Sequence, residues 1–387
     1  MNFSIPKELS KEIDRFKEFT LQNLLPNLEG WYRQNTVPRS FYSAMGKEGW
    51  FGFKARKGFL LKRPALREAL ITENLALISP GVTVAILAHV DLGLMGLWLY
   101  GSEKLTMEYG KGAVNGEMVL CLGNTEGHAG SDVAQISTVA KKAKGGWILN
   151  GTKAYVTNGL IGDMALITAV SDPKARRNRR LSMYLVDLSA KGVKRTRLNK
   201  QGWLPSDLTR IALHDVFVPY DHLIGERGRG LQQVLNIFTH SRVPISALTL
   251  GTAMGAFDMA IDHAKKRKIF GGRIIDFQAK AFEVADYYAR MEAARLMLWK
   301  ACRAMDLNKN FRLESSMAKY LAVEVAREVA SWAADLFGAA SIIFEHPVHK
   351  FPMDIWASSL GEGTQDIQKL VIFREVMRQY GITASGI

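Results

Sequence analysis

At 387 residues and 48% hydrophobic composition, the chain can bury a large core, divided on ordinary domain sizes into two or three packed units. Its formal net charge of +14 favours polyanionic partners through long-range attraction. The basic residues are scattered and no base-stacking or groove-reading motif accompanies them, so no nucleic acid is expected, and a nucleotide-bearing small molecule or an acidic protein fits as well.

The opening MNFSIPKELSKEI lacks the apolar core of a signal peptide and the Arg- and Ser-rich character of a transit peptide, so a cytoplasmic protein is expected. From Lys7 to about Gly110 the pattern is helical: Ile13, Phe16 and Phe19 recur at three-residue steps, and Leu66, Leu70 and Leu77 continue an apolar face. Residues 1–117 therefore read as an all-helical first domain. The apolar stretches Val82 to Ala88 and Leu94 to Tyr100 stop well short of the roughly 20 residues a membrane span needs, so no membrane association is expected.

Residues 118–228 change character to short β-rich runs such as MALITAV and IALHDVFVP, separated by Gly, Asn, Asp and Pro turn signals. Within 229–387 the helical period returns, most clearly at Met317, Leu321, Val325, Val329, Trp332 and Leu336. Helices, then strands, then helices read as α+β rather than a doubly wound sheet. GERGRG (Gly225 to Gly230) follows a strand without dinucleotide spacing. Cys121 and Cys302 have neither CxxC spacing nor clustered His, so both are read as buried apolar residues, with no disulfide framework and no metal site.

Three segments carry candidate chemistry. TEGHAGSD (Thr125 to Asp132) is a run of small and hydroxyl residues that would let a backbone approach a planar ligand, or would simply form a β-turn. LNGTKAYVTNG (Leu149 to Gly159) carries Tyr155 and Thr157 two residues apart, hence on one strand face, suited to a flat cofactor or to an ordinary hairpin. LGEGTQDIQK (Leu360 to Lys369) sets Glu362 between two glycines, either as a charge serving a helix N-terminus or as a general base on a loop.

In order and separation these segments resemble the TExxAGSD, NGxKxWITNG and YEGTxxIQ motifs of the acyl-CoA dehydrogenase family. KQGW (Lys200 to Trp203), VFVP (Val216 to Pro219), Arg242 in THSR and KKRKIFG (Lys265 to Gly271) extend the likeness over nearly the whole chain. The resemblance implies an N-terminal helical domain, a middle β-barrel-like domain and a C-terminal helical bundle, with FAD between the last two and assembly as a homotetramer or homodimer. It further implies that Glu362 abstracts the α proton of an acyl thioester, the β hydrogen leaving as hydride to flavin N5, while the Glu362 main-chain N–H and a ribityl hydroxyl hold the thioester carbonyl. Thr125, Ser131, Tyr155, Thr157, Gly338 and Thr364 would contact FAD, and Arg267 and Phe270 would reach the FAD of a neighbouring subunit. Arg242, Gly361 and Arg180 would lie by the substrate, and an electron-transfer flavoprotein would take the electrons.

Several positions depart from the pattern. Asp335 and Ser341 stand at the Gln and last Gly of QxxGGxG, and Ile269 replaces a Thr, which bears on the grip on FAD. Gly361 replaces a bulky residue before the base and should open space there. Asp91, in LAHVDLG, is either a helix-surface or capping carboxylate or a second carboxylate near the substrate. The basic loop KARRNRR (Lys174 to Arg180) is either merely solvated or receives CoA phosphates or an acidic acyl carrier protein. Acyl-CoA oxidation or monooxygenation with oxygen, dehydrogenation of a carrier-protein thioester, and a degenerate thioester- or protein-binding module are the alternatives.

Overall fold

The computed structural model describes residues 4–56 and 59–382. Two compact units emerge. One takes in the chain to Arg67 with Val84–Lys200 and Leu204–Ser241, the other Glu68–Thr83, Gln201–Trp203 and everything from Arg242 on.

In chain order the elements are α1 (Lys7–Asn23), α2 (Leu28–Gln34), α3 (Arg39–Lys47), β1 (Phe53–Arg56), β2 (Phe59–Lys62), α4 (Ala65–Ile78), α5 (Pro80–Leu87), a π-helical stretch Ala88–Leu94, α6 (Met95–Tyr100) and α7 (Glu103–Val114). There follow β3 (Leu120–Gly123), β4 (Val139–Ala143), β5 (Gly146–Val156), β6 (Met164–Val170), β7 (Leu181–Asp187), β8 (Val193–Arg197), β9 (Thr209–Pro219) and β10 (Leu223–Ile224). The chain closes with α8 (Gly230–Lys266), the short pair β11 (Lys268–Ile269) and β12 (Gly272–Arg273), α9 (Gln278–Asp306), α10 (Arg312–Phe337), α11 (Lys350–Ser358) and α12 (Gln365–Gln379).

In the first unit, Ile13, Phe16 and Phe19 are buried as the period of α1 predicts, with Phe16 edge-on to Trp50. The all-helical expectation for residues 1–117 is corrected by the antiparallel hairpin β1–β2. Its strands are short and mostly exposed, so they leave little hydrophobic signal in the sequence. Eight strands form one mixed sheet ordered β10-β7-β6-β4-β5-β9-β8, with β3 parallel to β6. The runs of β6 and β7 are apolar almost throughout because both faces are buried. Trp147, Tyr184, Val186, Ile211 and Val216 form much of the core behind the sheet. His89, buried in the π-helical stretch, accepts from the Leu120 N–H and faces the Ala113 carbonyl, tying this stretch to β3. Burial pushes its pKa down to about 4, so it serves as a neutral connector.

In the second unit, α8 passes close to α4 because Gly251 and Gly255 have no side chain. A Cβ at Gly251 would stand 2.2 Å from the Glu73 carbonyl oxygen. Val325, Val329 and Trp332 of the expected α10 face are buried, but Leu321 is exposed, and the inward stripe is completed by Ala318, Ala322 and Ala333. On α4, likewise, Leu70 is buried and Leu77 is exposed. Two helical stretches, Pro80–Tyr100 and Gly230–Lys266, are long and apolar enough by length and composition to cross a membrane, but 83% and 78% of their most apolar windows lie inside the protein. That burial marks them as core helices. Cys121 and Cys302 are both buried.

Candidate active site

The turn that follows β3 is shaped by a residue that points away from solvent. Glu126 is 3% exposed and its Oε1 lies 2.7 Å from Nζ of Lys153, which is wholly buried on β5. The same carboxylate accepts the N–H groups of Ser137 and Thr138 and the Ser137 hydroxyl. Burial alone would raise its pKa, but the Lys153 charge and these donors outweigh burial and hold it at about 2. Burial pushes Lys153 down to about 8. With Glu126 drawn in and the Thr125 carbonyl taking the Ala154 N–H at 2.8 Å, Gly127, Gly130 and Ser131 turn outward. A Cβ at Gly127 would meet nothing within 4 Å, so the backbone there is open to a ligand.

One residue beyond Ala154, the β5–β9 register slips between Lys153 and Val156. Tyr155 sits in that bulge at a φ of 58°, 60% exposed. The expectation that Tyr155 and Thr157 share a strand face is corrected: β5 ends at Val156 and Thr157 is half-buried in the following turn. The Asn-Gly pairs do not make a hairpin tip either. Asn158 is buried, accepting from the Tyr42 hydroxyl and donating to the Ala85 carbonyl, each at 2.7–2.8 Å. An exposed aromatic held in a left-handed conformation, beside a turn of small residues anchored to the same strand, fits the flat end of a flavin.

Elsewhere in the first unit, the carbonyl of Arg180 accepts from the Ser171 N–H at 2.9 Å, which closes the basic loop. Arg177 pairs with Asp132, and Arg179 lies 3.5 Å from Glu226, so part of that loop's charge is already balanced. Asp91 is 6% exposed within the π-helical stretch, which corrects its reading as a helix-surface carboxylate. π-Bulges of this kind recur at functional sites.

The second unit holds the carboxylate. Glu362 precedes α12, whose N-cap is Thr364: that hydroxyl accepts from the Ile367 N–H, and Asp366 is the acidic residue of the first turn. The helix start is thus served without Glu362, which occupies a loop at a φ of 51°, half-buried. Its main-chain carbonyl accepts from Nε of Arg242 at 3.3 Å and from the amide of Gln368 at 3.2 Å. Burial raises the Glu362 pKa, with the charges of Lys319 and Arg242 opposing it. Burial, with the Arg312 charge, pulls Arg242 down to about 10. Sequence reasoning missed Lys319, which is fully buried on α10 within the alanine stripe and donates to the carbonyls of both Gly361 and Gly363. Its signal was available, since a lysine inside an apolar stripe needs acceptors.

Gly361 does not simply open space. The Trp203 ring comes within 3.4 Å of where a Gly361 Cβ would stand, and the main-chain N–H of Trp203 donates to the Asp354 carboxylate. Phe270 is 96% exposed at a φ of 47°, beside the exposed Arg267. Gly338 has φ 59° and ψ −137°, a conformation open to glycine, and ends α10. Asp335 is exposed, and the Ser341 hydroxyl turns back to the Gly338 carbonyl at 2.8 Å.

Models of the acyl-CoA dehydrogenase N-terminal, middle and C-terminal domains match residues 7–117, 121–216 and 228–377. The chain belongs to the acyl-CoA dehydrogenase family. It is an FAD-dependent oxidoreductase acting on acyl-CoA. The caffeyl-CoA reductase-Etf complex subunit CarC of Acetobacterium woodii is 33% identical over 96% of this chain and 98% of its own. The glutaryl-CoA dehydrogenase of Desulfococcus multivorans is 30% identical over 96% and 97%. Among solved structures, butyryl-CoA dehydrogenase from Megasphaera elsdenii superposes with a TM-score of 0.92 at 26% identity, covering 98% of this chain and all of that one. The α+β architecture expected for an acyl-CoA dehydrogenase is thereby shown.

Proposed function

We propose that this acyl-CoA dehydrogenase oxidises its substrate between the α and β carbons with Glu362 as the base. The observation that carries the reading is the placement of Glu362: a carboxylate free of helix-capping duty, in a loop where the carbonyls of Gly361, Glu362 and Gly363 are held by side chains, with burial raising its pKa. The carboxylate takes the α proton, and the Glu362 N–H receives the charge that develops on the thioester oxygen. Bound FAD supplies the acceptor for the β hydrogen and its electron pair. Thr125, Ser131, Tyr155, Thr157, Gly338 and Thr364 are the residues that would contact it, and Arg267 and Phe270 would reach the FAD of a neighbouring subunit. The two electrons then pass to an electron-transfer flavoprotein, a reading supported by the relative named for an Etf complex. Assembly as a homotetramer or homodimer is supported by the exposure of Phe270, Ile342 and Phe344 in the second unit.

The test is anaerobic flavin reduction with a panel of acyl-CoA thioesters. Glu362→Gln should stay folded and yellow yet lose activity by at least about 10²-fold. Reduction at the parent rate in that variant removes the assignment, and rapid reoxidation when air is admitted would point to oxygen as acceptor.

A further inference from the structure

Lys319 is a titratable group that the reaction as described leaves unused; burial pushes its pKa down to about 7, with the Glu362 carboxylate beside it favouring the ammonium form. It is fully buried on α10, yet neither of its two acceptors is a side chain: its ammonium donates to the carbonyls of Gly361 and Gly363, the residues on either side of Glu362. The carbonyl between them, of Glu362 itself, is taken by Arg242 and Gln368, and Gln368 also reaches Gly363 O at 2.8 Å. Three successive carbonyls are thus held by three side chains, while the loop keeps left-handed φ values of 51° at Glu362 and 95° at Gly363.

A trans peptide is planar, with its C=O and N–H on opposite sides. The carbonyl of Gly361 and the N–H of Glu362 belong to one such plane. Once Lys319 takes the carbonyl, the N–H must point away from α10, and among the described residues no acceptor takes it. A cation on the carbonyl also draws electron density from the amide, which strengthens the N–H as a donor.

We propose that Lys319 is a positioning residue that orients and polarises the Gly361–Glu362 peptide, so that its N–H meets the thioester carbonyl at the moment Glu362 removes the α proton. The proposal rests on the reading of Glu362 as the base. It makes Lys319 part of the oxyanion device, acting through the backbone and not touching substrate. Its positive charge also favours the ionised form of the Glu362 carboxylate.

The experiment separates the two readings by placing Lys319→Met in both the parent and the Glu362→Gln background, as FAD-loaded protein. In the parent background kcat should fall by about 10- to 10²-fold, somewhat less than the cost of deleting an oxyanion donor outright, with KM little changed and the acid limb of kcat/KM moved to higher pH. In the Glu362→Gln background turnover is not read. Instead, the infrared carbonyl band of bound ¹³C-labelled butyryl-CoA, lowered by hydrogen bonding, should return toward its position in free thioester when Lys319→Met is added. Should Lys319→Met not fold, Lys319→Gln, a neutral donor, should keep part of the band shift yet still displace the acid limb. An unmoved band together with an unmoved acid limb, in whichever variant folds, overturns the role of Lys319. Parent-rate flavin reduction in Glu362→Gln alone instead overturns the base assignment.

Discussion

Lys153 and Glu126 meet at 2.7 Å with their side chains 0% and 3% exposed, and this pair helps join the turn of small residues to the strand that presents Tyr155. Removing one member leaves the other charged and buried. Lys153→Met should therefore cost about 3–5 kcal/mol of stability, the usual penalty for breaking a buried pair, and should release flavin before the protein unfolds. Flavin fluorescence followed during a thermal melt checks both. The folded carboxyl of Glu126 is depressed to about 2, so its contribution to stability is complete above its ordinary pKa and is lost as pH falls from about 4.5 toward about 2. An acid melt of the parent that shows no loss of stability across that window would contradict this account.

Glu362 has the opposite sign. Burial raises its pKa, so its stabilising contribution is present at low pH and disappears as pH rises through the folded value. At neutral pH the ionised base is a burden on the fold, and Glu362→Gln should melt no lower than the parent. The base works only when deprotonated, so kcat/KM should climb with pH along an acid limb lying above the ordinary carboxylate range of about 4.3. A lower melting temperature for Glu362→Gln, or a limb at the ordinary position, would count against the buried-carboxylate description.

Trp203 occupies the room that Gly361 leaves. Trp203→Ala should open that side of the loop and shift kcat/KM toward branched or aromatic acyl-CoA, with discrimination changing by about 10-fold or more, as an altered apolar pocket typically allows. Competition between a straight-chain and a branched thioester checks it. An unchanged ratio would place the substrate elsewhere.

The helical stretches and most strands were readable because burial imposes a period on hydrophobicity, as Phe16, Val325 and the continuous run of β6 illustrate. The β1–β2 hairpin was not, because its exposed, charged residues carry no such imprint. The motifs pointed to Tyr155 and Glu362 by type and spacing. They could not disclose that Tyr155 is thrust outward by a bulge, since backbone φ at a non-glycine residue is set by the neighbouring strand β9. Nor could they give Asp91 its place, which depends on a π-helical turn.

Local sequence, then, determined the element types, the order of helical and β regions, the family, and the identity of the candidate base, because these depend on residue type and short-range spacing. Tertiary structure alone decided what surrounds Glu362. Trp203, Arg242 and Lys319 lie 159, 120 and 43 residues away in the chain, and only the packing of α8, α10 and the loop before α12 brings a tryptophan beside Gly361 and two buried cations beside one carboxylate. Those contacts set the pKa and the direction of the Glu362 N–H, and both are through-space effects that no linear motif encodes.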